Sequence, residues 1–119
     1  GRLSAYRVKD LKPVWTLQQR APFLTSSMTT AGGVGFIGDW DRTFRAFDVK
    51  TGKTLWKTRL GTTAGFPTTF TVNGEQVVAG PTGYNGGGPQ VRPASMFAFE
   101  RNRPVVGYSV YVFALPKTK

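Results

Sequence analysis

Apolar, aromatic and β-branched residues come along this chain in short runs, each closed by a turn signal and none long enough for an amphipathic helix of several turns. Runs at 27–31 and 34–38 are split by Gly32-Gly33, and runs at 43–49 and 54–60 are split by Lys50-Thr51-Gly52-Lys53. Runs at 67–72 and 76–79 flank Asn73-Gly74, a strong two-residue hairpin signal. Two further strands are predicted at 2–8 and 13–18, and a last one at 109–115. Between the last two predicted strands lies a long Gly/Pro-rich excursion over 80–104. The pattern predicts an all-β chain.

The strands repeat. Ala5-Tyr6-Arg7-Val8-Lys9-Asp10-Leu11-Lys12-Pro13-Val14-Trp15 lies over Ala46-Phe47-Asp48-Val49-Lys50-Thr51-Gly52-Lys53-Thr54-Leu55-Trp56 at a constant offset of 41 residues. A period near 40 with four strands per unit is the signature of a propeller blade, whose sheet buries its faces only by stacking on neighbours. The expected organisation is the end of one blade over 1–20, a complete blade over 21–60, and a third blade over 61–119 that holds the 80–104 loop. With strands a to d counted from the propeller axis outward, antiparallel pairing puts the d-to-a and b-to-c connections on one side. These are 19–26, 39–42, 61–66 and 80–104, the longer and chemically richer loops, so ligand binding is expected on their side.

Composition narrows the chemistry. The chain has no Cys and no His, which removes the disulfide framework, the thiolate nucleophile and the commonest general base and metal ligand together. Sixteen Lys and Arg against six Asp and Glu give a net charge of +10. These cations are spread through turns and strand ends and form no stripe interleaved with aromatics, so a nucleic-acid footprint is not expected. There is no apolar run of 18 residues to span a membrane, and the first residues do not read as a signal peptide. Asp39 and Asp41 form an i, i+2 carboxylate pair beside Trp40 and Arg42; two carboxylates alone make a poor calcium site, and Arg42 stands by as a neutralising partner, so a structural loop is expected.

The second repeat copy resembles the tryptophan-docking motif of quinoprotein propellers, Ala-x-Asp-x-x-Thr-Gly-x-x-x-Trp. Its residues are architectural: Ala46 lets the next blade approach, Asp48 and Thr51 bond the turn backbone, Gly52 supplies a positive φ, and Trp56 covers the seam. In the first copy Arg7 replaces the Asp and the Thr-Gly pair is lost. Four other segments, in order, are similar to late blades of pyrroloquinoline quinone (PQQ)-dependent alcohol and sugar dehydrogenases. They are Arg20-Ala21-Pro22-Phe23-Leu24-Thr25-Ser26, Gly38-Asp39-Trp40-Asp41-Arg42, Gly65-Phe66-Pro67-Thr68-Thr69 and Gly83-Tyr84-Asn85-Gly86-Gly87-Gly88-Pro89, closed by Tyr111-Val112-Phe113-Ala114-Leu115-Pro116.

The resemblance implies about two and a half four-stranded antiparallel blades from the C-terminal part of an eight-bladed propeller, too short to be a whole enzyme. It implies a periplasmic protein that oxidises an alcohol or sugar with PQQ and passes electrons to a cytochrome c or ubiquinone. It implies that Leu24, Thr25, Ser26, Gly86, Gly87 and Gly88 approach the cofactor, with Leu24 and Gly88 near positions where the methanol-oxidising branch often has Trp. The family's catalytic Asp and its calcium or lanthanide ligands lie in earlier blades, so no catalytic or metal residue is expected here. The partners implied are the rest of the propeller or copies of this chain. The competing class is a non-catalytic scaffold propeller, which leaves the Arg-Ala-Pro segment and the Gly-rich loop without a reason.

Overall fold

A computed structural model describes residues 1–23, 25–61, 65–83 and 108–116. They form three antiparallel sheets: β1 (Arg2–Tyr6) with β2 (Pro13–Gln18); β3 (Met28–Thr29), β4 (Val34–Gly38), β5 (Thr43–Asp48) and β6 (Thr54–Arg59); and β7 (Thr68–Val72), β8 (Glu75–Thr82) and β9 (Ser109–Ala114). Each sheet keeps its strands in chain order, as a blade does. The repeat extends to irregularities, since pairing slips between Ala5 and Tyr6 in the first sheet and between Ala46 and Phe47 in the second.

The side-chain alternation of β4 and β5 gives the middle sheet two apolar faces. One face carries Ile37 and Phe47 and meets the first sheet, where the Trp15 ring stands edge-on to Phe47 at 5.7 Å and its Nε1 donates to the Val49 carbonyl at 2.8 Å. The opposite face carries Phe36, Phe44 and Trp56 and meets the third sheet: Phe44 stacks on Phe113 at 5.6 Å, and Trp56 meets Phe113 edge-on at 5.1 Å. Phe44, Leu60 and Val78 form the buried centre of that second seam, with Met28, Phe36, Tyr111 and Phe113 packed around them. A fully buried side chain of this size contributes roughly 1.5–3 kcal/mol. The seams therefore hold the sheets together, because no hydrogen-bonded ladder links one sheet to the next.

Turn chemistry follows the motif. Asp48 Oδ1 accepts the Lys50 and Thr51 N–H groups at 2.8 and 3.0 Å, Thr51 Oγ1 accepts that of Lys53 at 3.2 Å, and Gly52 sits at φ 74°. Asn73 and Gly74, at φ 50° and 79°, make the expected mirror-image hairpin turn.

Three strands depart from expectation by two residues or more. β1 ends at Tyr6, short of residue 8, because Arg7 already enters the turn, its N–H donating to the Lys12 carbonyl. β3 is only Met28–Thr29, because Thr30 already turns, its N–H and hydroxyl both going to the Val34 carbonyl. β8 runs on through Gly80, Pro81 and Thr82, residues expected in the long loop, and pairs them with Tyr111, Val110 and Ser109. Pro81 is tolerated because β7 has ended by this point. Its carbonyl faces away from β9 and accepts the Gly65 N–H, so the missing N–H falls on the side without a partner strand.

Candidate functional site

Hydrogen bonds gather the d-to-a and b-to-c connections on one side, as strand alternation requires. The Trp40 N–H donates to the Pro22 carbonyl at 3.0 Å, Leu60 N–H to the Arg42 carbonyl at 2.8 Å, and Gly65 N–H to the Pro81 carbonyl at 2.6 Å.

The best-built part of this side is a buried polar cluster beneath the 19–26 loop. Asp39 is 2% exposed and accepts four bonds: Oδ1 from the Asp41 and Thr43 N–H groups at 2.9 and 3.0 Å, Oδ2 from Gln19 Nε2 at 2.9 Å and Arg45 Nη2 at 3.2 Å. Arg45 Nη2 also donates to Gln19 Oε1 at 2.6 Å, and its guanidinium carbon lies 5.5 Å from the centre of the Phe23 ring. Gln19 Nε2 closes the circuit on the Ala21 carbonyl at 2.9 Å. The cluster thus ties the exit of one blade to two strands of the next. It also props the loop, since Ala21, Pro22 and Phe23 each contact it or the adjoining Trp40 backbone. The buried charge is offset by a buried countercharge and by dipoles, the arrangement that low-dielectric surroundings demand.

The carboxylate pair separates. Asp41 turns outward to Arg59, 2.8 Å away in a half-exposed ion pair. Arg42 neutralises neither carboxylate: it occupies the left-handed region at φ 66°, where the chain reverses into β5. Asp39 and Asp41 therefore do not converge on a common ligand. Among the described residues no three His, Cys, Asp or Glu side chains gather to hold a metal ion.

Of the six residues expected near a cofactor, two are described. Thr25 uses its hydroxyl inside the blade, donating to the Gly38 carbonyl at 3.0 Å and accepting the Gly38 N–H at 3.3 Å. Ser26, next along, is exposed. Leu24, Gly86, Gly87 and Gly88 lie outside the described residues. Sequence reading missed Gln19 and Arg45. A signal for Arg45 was present, since a cation at a strand position between Phe44 and Ala46-Phe47 needs a buried partner.

Three stacked antiparallel sheets, the middle one four-stranded, with indoles docked in the seams and the d-to-a and b-to-c connections on one side, define a partial β-propeller. The family described as PQQ-dependent glucose/ethanol/alcohol dehydrogenase, β-propeller domain, matches residues 4–78. Two 1-butanol dehydrogenases of Thauera butanivorans are similar. The one designated quinone is 39% identical over 114 residues, covering 93% of this chain; the one designated cytochrome c is 36% identical over 116 residues, covering 97%. A solved europium-containing methanol dehydrogenase superposes on 96% of this chain with a TM-score of 0.78 at 31% identity. The chain belongs to the PQQ-dependent alcohol dehydrogenase family. It spans 18% and 16% of the two butanol dehydrogenases and 23% of the methanol enzyme, so it is a partial propeller.

Proposed function

We propose that this chain is the C-terminal part of a periplasmic PQQ-dependent dehydrogenase that oxidises an alcohol, contributing propeller closure and part of the cofactor funnel. The observation that carries the reading is the 19–26 loop. It is held on the loop side by Asp39, Arg45 and Gln19, within a chain that resembles quinone enzymes along almost its whole length.

The described residues fit the cofactor in a supporting role. Thr25, with its hydroxyl engaged on Gly38, fixes the end of the loop and leaves Ser26 exposed as the hydroxyl able to meet a polar ligand edge. Phe23, with the Arg45 guanidinium over its ring, anchors the loop just ahead of the residues that the resemblance implies approach the cofactor. When bound, PQQ takes up the hydride removed from the alcohol carbon. In this proposal the general base and the calcium or lanthanide ligands come from blades ahead of residue 1. Electrons leave to a quinone or a cytochrome c, the acceptors after which the two butanol dehydrogenases are designated.

The test is steady-state dye reduction by the protein that carries this segment with its other blades, after loading with PQQ and calcium or a lanthanide. Turnover with primary alcohols that requires added quinone is expected. Absence of alcohol-dependent turnover in quinone-loaded protein contradicts the proposal.

A further inference from the structure

The two repeat copies share a backbone and differ in chemistry at one telling position. In the second turn the Asp48 N–H donates to the Lys53 carbonyl at 2.8 Å, and the Gly52 N–H to the Asp48 carbonyl at 2.8 Å. In the first turn the Arg7 N–H donates to the Lys12 carbonyl at 2.9 Å, and the Leu11 N–H to the Arg7 carbonyl at 2.7 Å. Even the side-chain bond is reproduced: Asp10 accepts the Lys12 N–H at 3.1 Å where Thr51 accepts that of Lys53 at 3.2 Å. Leu11 therefore stands where Gly52 stands, in the same left-handed backbone, at φ 55° against 74°. A leucine is rarely found there, because its Cβ crowds the following carbonyl.

Where that side chain goes can be read from the other copy. A Cβ built on Gly52 lies 2.5 Å from Cε3 of Trp15, inside the indole that docks from the neighbouring blade. In the equivalent backbone Leu11 projects into the space that a docking indole would need on the outer face of β1 and β2. The surrounding positions match as well. Tyr6 stands one repeat before Phe47, the ring that Trp15 meets edge-on, and Val8 stands one repeat before Val49, whose carbonyl receives the Trp15 N–H. Tyr6, Val8 and Leu11 are 56%, 91% and 74% exposed.

We infer that this outer face is a blade-docking surface of inverted polarity. Its occupant is a further four-stranded blade with no tryptophan at its docking position, and the apolar group that fills the seam is Leu11, supplied from this side. Continuity with the next seam identifies the occupant, because the same positions one repeat later already receive a blade. The inference also accounts for a leucine at this position: its side chain fills space that would otherwise be a void, which offsets the strained backbone. It makes this seam differ from the Trp15 seam in lacking the indole-to-carbonyl hydrogen bond. It rests on the propeller fold alone and is independent of the cofactor.

The experiment compares Leu11→Gly, Leu11→Asn and Leu11→Met in the protein that carries this segment with the blades ahead of it, by thermal unfolding and by hydrogen exchange over β1 and β2. Glycine and asparagine both relieve the left-handed backbone, and asparagine does so without glycine's extra chain entropy. A filled seam predicts that both lower the unfolding midpoint by a few degrees and speed exchange in β1 and β2, while Leu11→Met stays near the parent. An unchanged or raised midpoint in Leu11→Gly and Leu11→Asn overturns the inference. A tryptophan at the docking position of the blade immediately preceding also overturns it.

Discussion

Asp39 and Asp41 are two residues apart and do different work. The Asp39–Arg45 pair has side-chain exposures of 3% and 11%, whereas Asp41–Arg59 is exposed at 40% and 49%. Asp39→Ala leaves the Arg45 charge buried without its counterion and is expected to cost about 3–5 kcal/mol. Asp41→Ala is expected to cost less than about 1 kcal/mol, and that loss shrinks further in high salt. Urea unfolding at two salt concentrations separates the pairs; equal losses would remove the distinction. Asp48 makes a second residue-scale prediction. The backbone N–H groups of Thr51 and Lys50 hold its carboxyl below the ordinary value of 3.8. A carboxyl lowered by folding contributes stability above its unfolded pKa and loses it as the pH falls through the folded value. Asp48→Asn is therefore expected to be less stable than the parent at neutral pH, with the gap closing as the pH drops below 3.8. A gap that stays constant with pH would mean that the charge plays no part in the turn.

At the scale of elements, the seam between the first and second sheets turns on one glycine and one indole. Gly52→Ala puts a methyl group into the Trp15 ring on a backbone at φ 74°, and a loss of about 2–4 kcal/mol is expected from crowding and left-handed strain together. Trp15→Phe keeps a ring but forfeits the Nε1 bond to Val49, for about 1 kcal/mol. Doubly substituted protein should lose less than the sum, because both changes act on one contact; additive losses in a double-mutant cycle would show that they do not. Strands and turns of this kind were legible in the sequence because an internal repeat, Asn73-Gly74 and Lys50-Thr51-Gly52-Lys53 each encode local geometry. The extension of β8 through Pro81 was not legible. It depends on β7 beginning only at Thr68, opposite Ala79, and on Gly65 meeting the Pro81 carbonyl, and neither is a property of the Gly80-Pro81 pair itself.

At the scale of the whole molecule, the two outermost sheets keep apolar groups in solvent: Tyr6 on the first, and Phe70, Val72, Val110 and Val112 on the third, the last four 45–68% exposed. Faces and edges of this kind invite association. Prepared alone, the 119-residue chain is expected to sediment as assemblies larger than a monomer; a stable monomer over a wide dilution range would contradict that. The side of the propeller that carries the loops was legible in the sequence, because strand alternation alone determines it. The polar cluster was not. Gln19, Asp39 and Arg45 are brought together only by the stacking of two blades, and residue types so ordinary carry no mark of it.

The most direct measurement is an optical titration of PQQ into the protein that carries this segment with its complete propeller, in the presence of calcium or a lanthanide. Saturable, stoichiometric quinone binding that weakens when Asp39→Ala releases the 19–26 loop is predicted. A complete, folded propeller that binds no quinone would contradict the account.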